Sequence, residues 1–548
     1  MTSSSLRARR VVVAAVAVAT ATALAGCTGS NEPAAPSGSV DGSNLISSQP
    51  AAKTQVDKIT WNVNGEPDTL DPRNSVNYGS GQIVRNMCEA LMKMDADFNI
   101  TPNLATPKVV SPTEIQFTVR DGVKFWDGTP LTAEDVAYSL QRNAAEDSVV
   151  SFAFINVKDI SVTGANQVTL TLSAPDSTLI NGLATIAGAV VEKDWAEKTG
   201  DKVGTPSGGL MCSGPYKFGT WKTGSGITIE RNDQYWNSEI KPFAKQVDFT
   251  FISDSTALAQ ALQSGEIDGS YEVPVSTFST LSASDAGALI FGPSTQSTNI
   301  SVARPDGPMA DQKLRDAFQL AMDREAIAKV VYQGAAQANY THLTPPTWPN
   351  AEVDIYQPDY DAWAKARAYN LEAAKKLVGE STYDGSEIVL AIAAGDQASL
   401  QIAQLVQQQA KQIGVTVKIQ SMEPLVFDQA SYDASARVGV DLIYGANFNS
   451  QQNPLEPLGF DLLPGMPYNY TEFDNPEVTK LLTEARSSYD PKEQAQLIVQ
   501  AQKIYEPLSG TISLVATNEV SFINKRLTGA ITSFAYWSMP QMAYIGAP

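Results

Sequence analysis

From Val11 to Ala25 the chain runs without a charge, through fifteen residues of Val, Ala, Thr and Leu, directly behind the basic Arg7, Arg9 and Arg10. A bilayer span needs about twenty apolar residues. This run is too short for that, but it suits the apolar centre of a secretory signal peptide. Nothing between Val56 and Pro548 is longer and as apolar. The bulk of the chain is therefore expected to fold in water on the far side of a membrane, behind a leader over residues 1–26.

The leader closes on Leu24-Ala25-Gly26-Cys27. That tetrad resembles the lipobox of bacterial lipoproteins, which implies that the Cys27 thiol is diacylated and becomes the mature N-terminus. The alternative is an ordinary signal peptide with an incidental Cys. Arg9-Arg10 raises twin-arginine export, but the residues after the pair match that pattern poorly, and the general route is the reading. Behind Cys27, residues Thr28 to Gln55 are rich in Ser, Pro, Ala, Gly and Asn. With little apolar surface to bury, residues 27–55 are expected to be a lipid-anchored, disordered tether with a reach of about 30 Å.

The body behind the tether is too long for a single core. Roughly 490 residues predict two or three lobes. The formal charge is −20, and loss of the leader's basic residues makes the body more acidic still. That argues against a nucleic-acid partner and against binding anionic lipid by charge. Cys88 and Cys212 remain as an even pair in an oxidising location, read as a disulfide, with two separately buried thiols as the alternative. His342 is the one histidine in the chain, and it sits in the loop-like Thr341-His342-Leu343-Thr344-Pro345-Pro346. The hydrolase, metalloprotease and phosphate-loop motifs are all missing. Asp95, Asp97 and Asn99 have the spacing that opens a calcium loop, but Ile100 stands where the turn needs Gly and no Glu follows at position 106. A polar turn between strands accounts for them better. The chain is read as a non-enzyme, with no catalytic residue, metal or cofactor.

The element pattern is mixed α/β. Ile59 to Val63, Ile115 to Arg120, Val168 to Leu172 and Ile227 to Arg231 alternate as strands. Thr132-Ala133-Glu134-Asp135 opens a helix with Thr132 as its cap and Asp135 closing a near-capping box. Leu314, Phe318, Ala321 and Ile327 follow helical spacing from Asp311 to Val331, with Asp323 starting a second segment. Leu400 to Ile413 reads as a helix ended by Gly414, with a strand at Val415, Val417 and Ile419 behind it. Asn475-Pro476 and Asp490-Pro491 each place a cap residue before a first-turn proline.

Several blocks of this sequence, in order, resemble family 5 of the extracellular solute-binding proteins, the dipeptide and oligopeptide group that serves ABC importers. Leu70-Asp71-Pro72 is similar to the family's opening motif. Phe117 to Phe125, with Asp127-Gly128-Thr129-Pro130-Leu131-Thr132-Ala133-Glu134-Asp135-Val136, resembles its signature segment. Ser213-Gly214-Pro215-Tyr216, Glu230-Arg231-Asn232-Asp233-Gln234-Tyr235-Trp236, Ser264-Gly265-Glu266-Ile267-Asp268, Leu314-Arg315-Asp316-Ala317 and Ala321-Met322-Asp323-Arg324-Glu325-Ala326-Ile327 continue the run. These blocks have scaffold jobs available to them, such as a turn at Asp127-Gly128 and bracing by Arg231 and Trp236.

The resemblance implies an α/β, two-lobed clamshell of the periplasmic-binding-protein type, with an extra subdomain inserted in the first lobe. Lobe I would take residues 56–98, 213–300 and 511–548, the insert 99–212, and lobe II 301–510. Cys88 and Cys212 would then staple the two crossings into the insert. It implies capture of a peptide, modified peptide or other small solute between the lobes by a monomer, and delivery to the transmembrane subunits of an ABC permease. The lipid anchor would hold it at the extracytoplasmic face of the cell membrane. An extended ligand would pair with edges at Val76-Asn77-Tyr78 and Tyr444-Gly445-Ala446, with Asn447 and Phe448 beside it. Peptide-binding relatives carry an Asp at the place that here resembles Asn447, where it pairs with the ligand's α-ammonium. An amide cannot neutralise a buried cation, so another acid supplies the charge, with Asp441 nearest, or the ligand lacks a free amine. An oligosaccharide or other polyhydroxy solute, stacked on Trp348, Trp537 or the many tyrosines, is the second reading, and a catalytic lipoprotein the third.

Overall fold

The alternation expected around Ile59 places Ile59 and Trp61 inward on β1 (Val56–Asn62), where both are fully buried. The computed structural model that carries this strand describes residues 42–548, apart from Val76 and the side chain of Tyr78. The leader, Cys27 and the first part of the tether lie outside the described residues. After β1 come a short hairpin, β2 (Met92–Met94) and β3 (Ile100–Pro102), and a separate antiparallel sheet of β4 (Ala105–Ser111), β5 (Glu114–Val119), β6 (Val157–Gly164) and β7 (Gln167–Leu172) in the order β4-β5-β7-β6. The turn between β2 and β3 is made by Asp95, whose Oδ1 accepts from the backbone N–H groups of Asp97 and Asn99, each at 2.9 Å. The calcium-like spacing is a polar turn.

The large sheet gathers strands from the whole described chain. They are β8 (Tyr216–Lys222), β9 (Gly226–Arg231), β10 (Ala244–Thr250), β11 (Gly269–Ser270), β12 (Gly287–Val302), β13 (Ala336–Ala338), β14 (Ile388–Ala393), β15 (Val417–Met422), β16 (Leu442–Phe448) and β17 (Thr511–Asn524). The order is β15-β14-β16-β12-β17-β11-β1-β10-β9-β8, with β13 beside β17. The antiparallel pair β12 and β17 thus joins two halves of the sheet. One core packs around Trp61, Phe249 and Tyr216, another around Phe318, Leu390 and Ile402, and a helical third around Leu458 and Tyr505. The connecting pair is interrupted: Gly292 faces Glu519, but the next partners are Gln296 and Thr517. Extra residues on one strand bend it and break its ladder.

Helix boundaries follow local chemistry. Thr132 Oγ1 accepts from Asp135 N, and Asp135 Oδ2 accepts from Thr132 N at 2.8 Å, so the capping box ahead of helix Ala133–Asn143 is complete. Helix Gln312–Ala321 stops at Met322, and Asp323 caps helix Arg324–Tyr332. Asn475 and Asp490 cap helices Pro476–Ser487 and Pro491–Tyr505. Gly414 takes φ +83°, which ends the helix over Gln397–Gln412 before β15.

One expectation needs correction. The last residues of the expected tether are held on β12 and along the C-terminal segment: Ile46 N donates to Phe291 O, Gln49 N to Ala530 O and Thr54 N to Ala547 O. Composition reports only missing apolar burial, whereas backbone groups find order wherever a partner edge is offered. His342 lies in the expected loop, in no helix or strand, but its side chain does not face solvent. Its buried imidazole lies 2.7 Å from Asp461. Burial works against its charge, and the Asp461 carboxylate outweighs that, so it titrates above the ordinary value.

Candidate functional site

The blocks that carry the family resemblance meet on scaffold chemistry. Glu89 is buried, and each of its oxygens takes two donors. Tyr235 Oη at 2.8 Å and Asn103 Nδ2 at 3.4 Å reach Oε1. Ser213 Oγ at 2.8 Å and Trp236 Nε1 at 2.7 Å reach Oε2. Burial raises this carboxyl above its ordinary value, and the four donors pull it part of the way back. Next to it the Cys88–Cys212 disulfide is formed, with Cα atoms 5.0 Å apart. Asp71 of the opening motif receives the guanidinium of Arg142 and caps the turn at Pro72–Asn74. Arg324 is fully buried and donates to the carbonyls of Ser513 (2.7 Å) and Gln319 (2.8 Å), tying its helix to β17. Asp71, Ser213, Tyr235, Trp236 and Arg324 of the motif blocks are thus engaged within the protein.

A cavity of about 580 Å³ opens at the interruption between β12 and β17. From the β1 half come Asn64, Ser253, Ser255 and the loop Glu272–Ser276. From the β14 half come Tyr332, Gln333, Gly395, Asp396, Tyr444, Ala446 and Asn447. Gln296, Thr298 and Thr517–Val520 of the connecting strands form its floor. Such a volume falls in the range of small-molecule and short-peptide sites, and a site between two halves is where solute contact can be coupled to closure.

The expected ligand-binding residues divide. Tyr444, Ala446 and Asn447 line the cavity, and Ala446 and Asn447 are exposed. Gly445 and Phe448 lie on the same strand outside the lining. Gly445 backs onto the Asn299 side chain, and Phe448 packs edge-on against Phe534 and Trp537. β16 is paired along all of its length by β12 on one side. Its other neighbour, β14, is registered only against Leu442 and Ile443. Asn77 and Tyr78 form no strand edge: Asn77 Oδ1 accepts from Ser80 N at 2.7 Å and caps helix Tyr78–Val84, which Tyr78 begins. Val76 lies outside the described residues. Asp441 is spent on the fold, with Arg304 Nη2 at 2.7 Å and Val389 N at 2.9 Å. Trp348 and Trp537 are buried away from the cavity and present no stacking face to it.

Three lining acids were missed, Asp396 on the surface and Glu272 and Glu519 deeper in. Glu519 is 1 % exposed. Its Oε1 accepts from Glu272 N at 2.9 Å, while its Oε2 has no hydrogen-bond partner among the described residues. Glu272 takes φ +53°, a left-handed conformation uncommon outside glycine, and Gln296 Nε2 donates to its Oε1 at 3.3 Å. Burial and the neighbouring Glu272 hold Glu519 far above the ordinary carboxyl value, and burial raises Glu272. The available sequence signal was a charged residue inside a strand in which Val515, Ala516, Val520 and Phe522 are buried.

A sequence model described as the bacterial extracellular solute-binding proteins, family 5 middle region, matches residues 99–462. The glutathione-binding protein GsiB of Salmonella typhimurium is 27% identical over 489 residues, covering 87% of this chain and 91% of that protein. Among solved structures, the ABC transporter substrate-binding protein CtaP of Listeria monocytogenes superposes with a TM-score of 0.78 at 21% identity, over 90% of this chain and 100% of that one. The oligopeptide-binding protein AppA of Bacillus subtilis, solved with a nonapeptide, gives 0.74 at 22% identity, over 90% and 99%.

Proposed function

Because the chain belongs to family 5 of the bacterial extracellular solute-binding proteins, two-lobed substrate-binding components of ABC importers, we propose that its solute is a peptide or modified peptide. It would be bound by a monomer anchored to the outer face of the membrane through Cys27. The observation that carries this reading is the cavity at the break between β12 and β17, lined from both halves of the sheet. A solute there touches both halves and favours whichever arrangement brings them together. Beyond Ile443 no strand is registered on the β14 side of β16, and Gly445, Ala446 and Asn447 follow directly. An extended peptide backbone could add along that side while its side chains occupy the cavity. Two relatives support the class: one takes glutathione, itself a modified tripeptide, and another holds a nonapeptide. Trp348 and Trp537 are buried outside the lining, so of the expected stacking faces only Tyr332 and Tyr444 remain for a sugar.

Mass spectrometry of solute released from the natively purified protein tests this directly. A peptide or peptide conjugate is expected, its re-addition should raise the melting temperature, and a purely carbohydrate solute would overturn the reading. Radiolabelled palmitate should enter the wild type and not Cys27→Ala, and incorporation that survives the substitution would refute the anchor.

A further inference from the structure

The cavity is one-signed. Glu272, Glu519 and Asp396 line it, and no Lys, Arg or His does among the described residues. Asp396 is exposed and accepts from Ala398 N and Ser399 N at the start of a helix. Glu519 differs: it is fully buried, it lines the cavity, and one of its oxygens has no hydrogen-bond partner among the described residues. Leaving a carboxylate oxygen unmatched in a desolvated site is costly. Glu272 is turned beside it by a backbone conformation that side chains rarely adopt, and strain of this kind gathers at ligand sites. Tyr332 lines the same space, and Tyr271 lies against Glu519; burial raises both phenols, so neither brings a charge.

We propose that Glu272 and Glu519 form a subsite for a cationic nitrogen of the solute, an ammonium or a guanidinium. This rests on reading the cavity as the solute site, and it narrows the solute class to amine-bearing or guanidinium-bearing compounds. A cation there satisfies the unpartnered oxygen with a charge-assisted bond. It also resolves the charge question raised by Asn447: the neutralising acids come from the loop after β11 and from β17, not from β16. Glu519 accepts the backbone N–H of Glu272, and burial raises both carboxyls, so the empty site favours protonated acids and an arriving cation expels a proton.

The test is calorimetry with Ala-Lys-Ala and with the same tripeptide acetylated on both amines, on wild type, Glu272→Gln and Glu519→Gln. Wild type is expected to bind the free-amine peptide at least tenfold tighter, with proton release detected across buffers of different ionisation enthalpy. Each Gln variant should keep the wild-type circular dichroism spectrum and lose most of that preference. Equal affinity for both peptides, or a preference untouched in both variants, overturns the subsite. Binding of neither peptide removes the peptide reading but not the subsite, which hexane-1,6-diamine and agmatine against hexane-1,6-diol then decide. Thermal stabilisation by the amines that Glu519→Gln abolishes supports it, and no stabilisation by either amine overturns it.

Discussion

Glu89 turns the family motifs into a measurable energy. Replacing it by Leu removes an acceptor from four donors at once. Asn103 keeps a second partner, the Ala90 carbonyl at 3.1 Å, and half-buried Tyr235 can turn to water. Fully buried Ser213 has no such exit. One stranded donor at about 1–3 kcal/mol, with weakened bonds at half-buried Tyr235 and Trp236 set against the gain from no longer burying a carboxyl, gives a loss of about 1–3 kcal/mol for Glu89→Leu. Glu89→Gln is milder for a geometric reason. Its amide nitrogen can face the Oε1 side, where the Tyr235 hydroxyl accepts and Asn103 keeps its bond to the Ala90 carbonyl, and its oxygen still serves Ser213 and Trp236. A cost of about 1 kcal/mol is expected at pH 7. The pH dependence has a definite sign. A carboxyl raised by burial adds stability that is complete below its unfolded value and is lost as pH rises through its folded value. Glutamine has no such dependence, so the cost of Glu89→Gln is larger at pH 5 than at pH 8. Urea unfolding followed by tryptophan fluorescence at both pH values measures this. A Glu89→Leu midpoint no lower than that of Glu89→Gln, or a Glu89→Gln cost that grows with pH, would refute the reasoning.

Opening the Cys88–Cys212 bridge, which closes a loop across 124 positions, is expected to cost up to about 5 kcal/mol in the chain-entropy model. A melting temperature unchanged in Cys88→Ser/Cys212→Ser would show no stabilisation. Burial raises Glu456 to about 7 against the Ser450 N–H and hydroxyl that bond it. Its stability term is therefore lost as pH climbs from below 4.5 through about 7, and Glu456→Gln should flatten that loss and gain about 1–3 kcal/mol at pH 8. Parallel thermal-melt profiles of wild type and Glu456→Gln would speak against it. Asn447→Asp adds a carboxylate to a cavity that already holds Glu272 and Glu519. Calorimetry should show Ala-Lys-Ala binding about 3–10-fold tighter at low salt, with the gain shrinking as salt is added, and unchanged or weaker binding would move Asn447 out of the subsite.

Much of this protein comes from short-range chemistry that a linear chain displays. Alternation at Ile59 and Trp61, the capping box at Thr132 and Asp135, the break at Asp323 and the proline starts at Pro476 and Pro491 act within a few residues, and each has its expected element. The ordered motif blocks carried the family, and the even cysteine pair carried the disulfide. The cavity was only partly legible. Tyr444, Ala446 and Asn447 came from the motif beside them, while Asn77 went to a helix cap and Asp441 to Arg304. Sequence spacing cannot say which polar side chains the fold will consume and which it will leave unmatched. Glu272 and Glu519 are 247 positions apart, and their meeting is decided by the order of β17, β11 and β1 and by the bulge in β12. Strand order and register are long-range quantities: local propensity sets the elements, and only their packing brings two distant acids to one cavity.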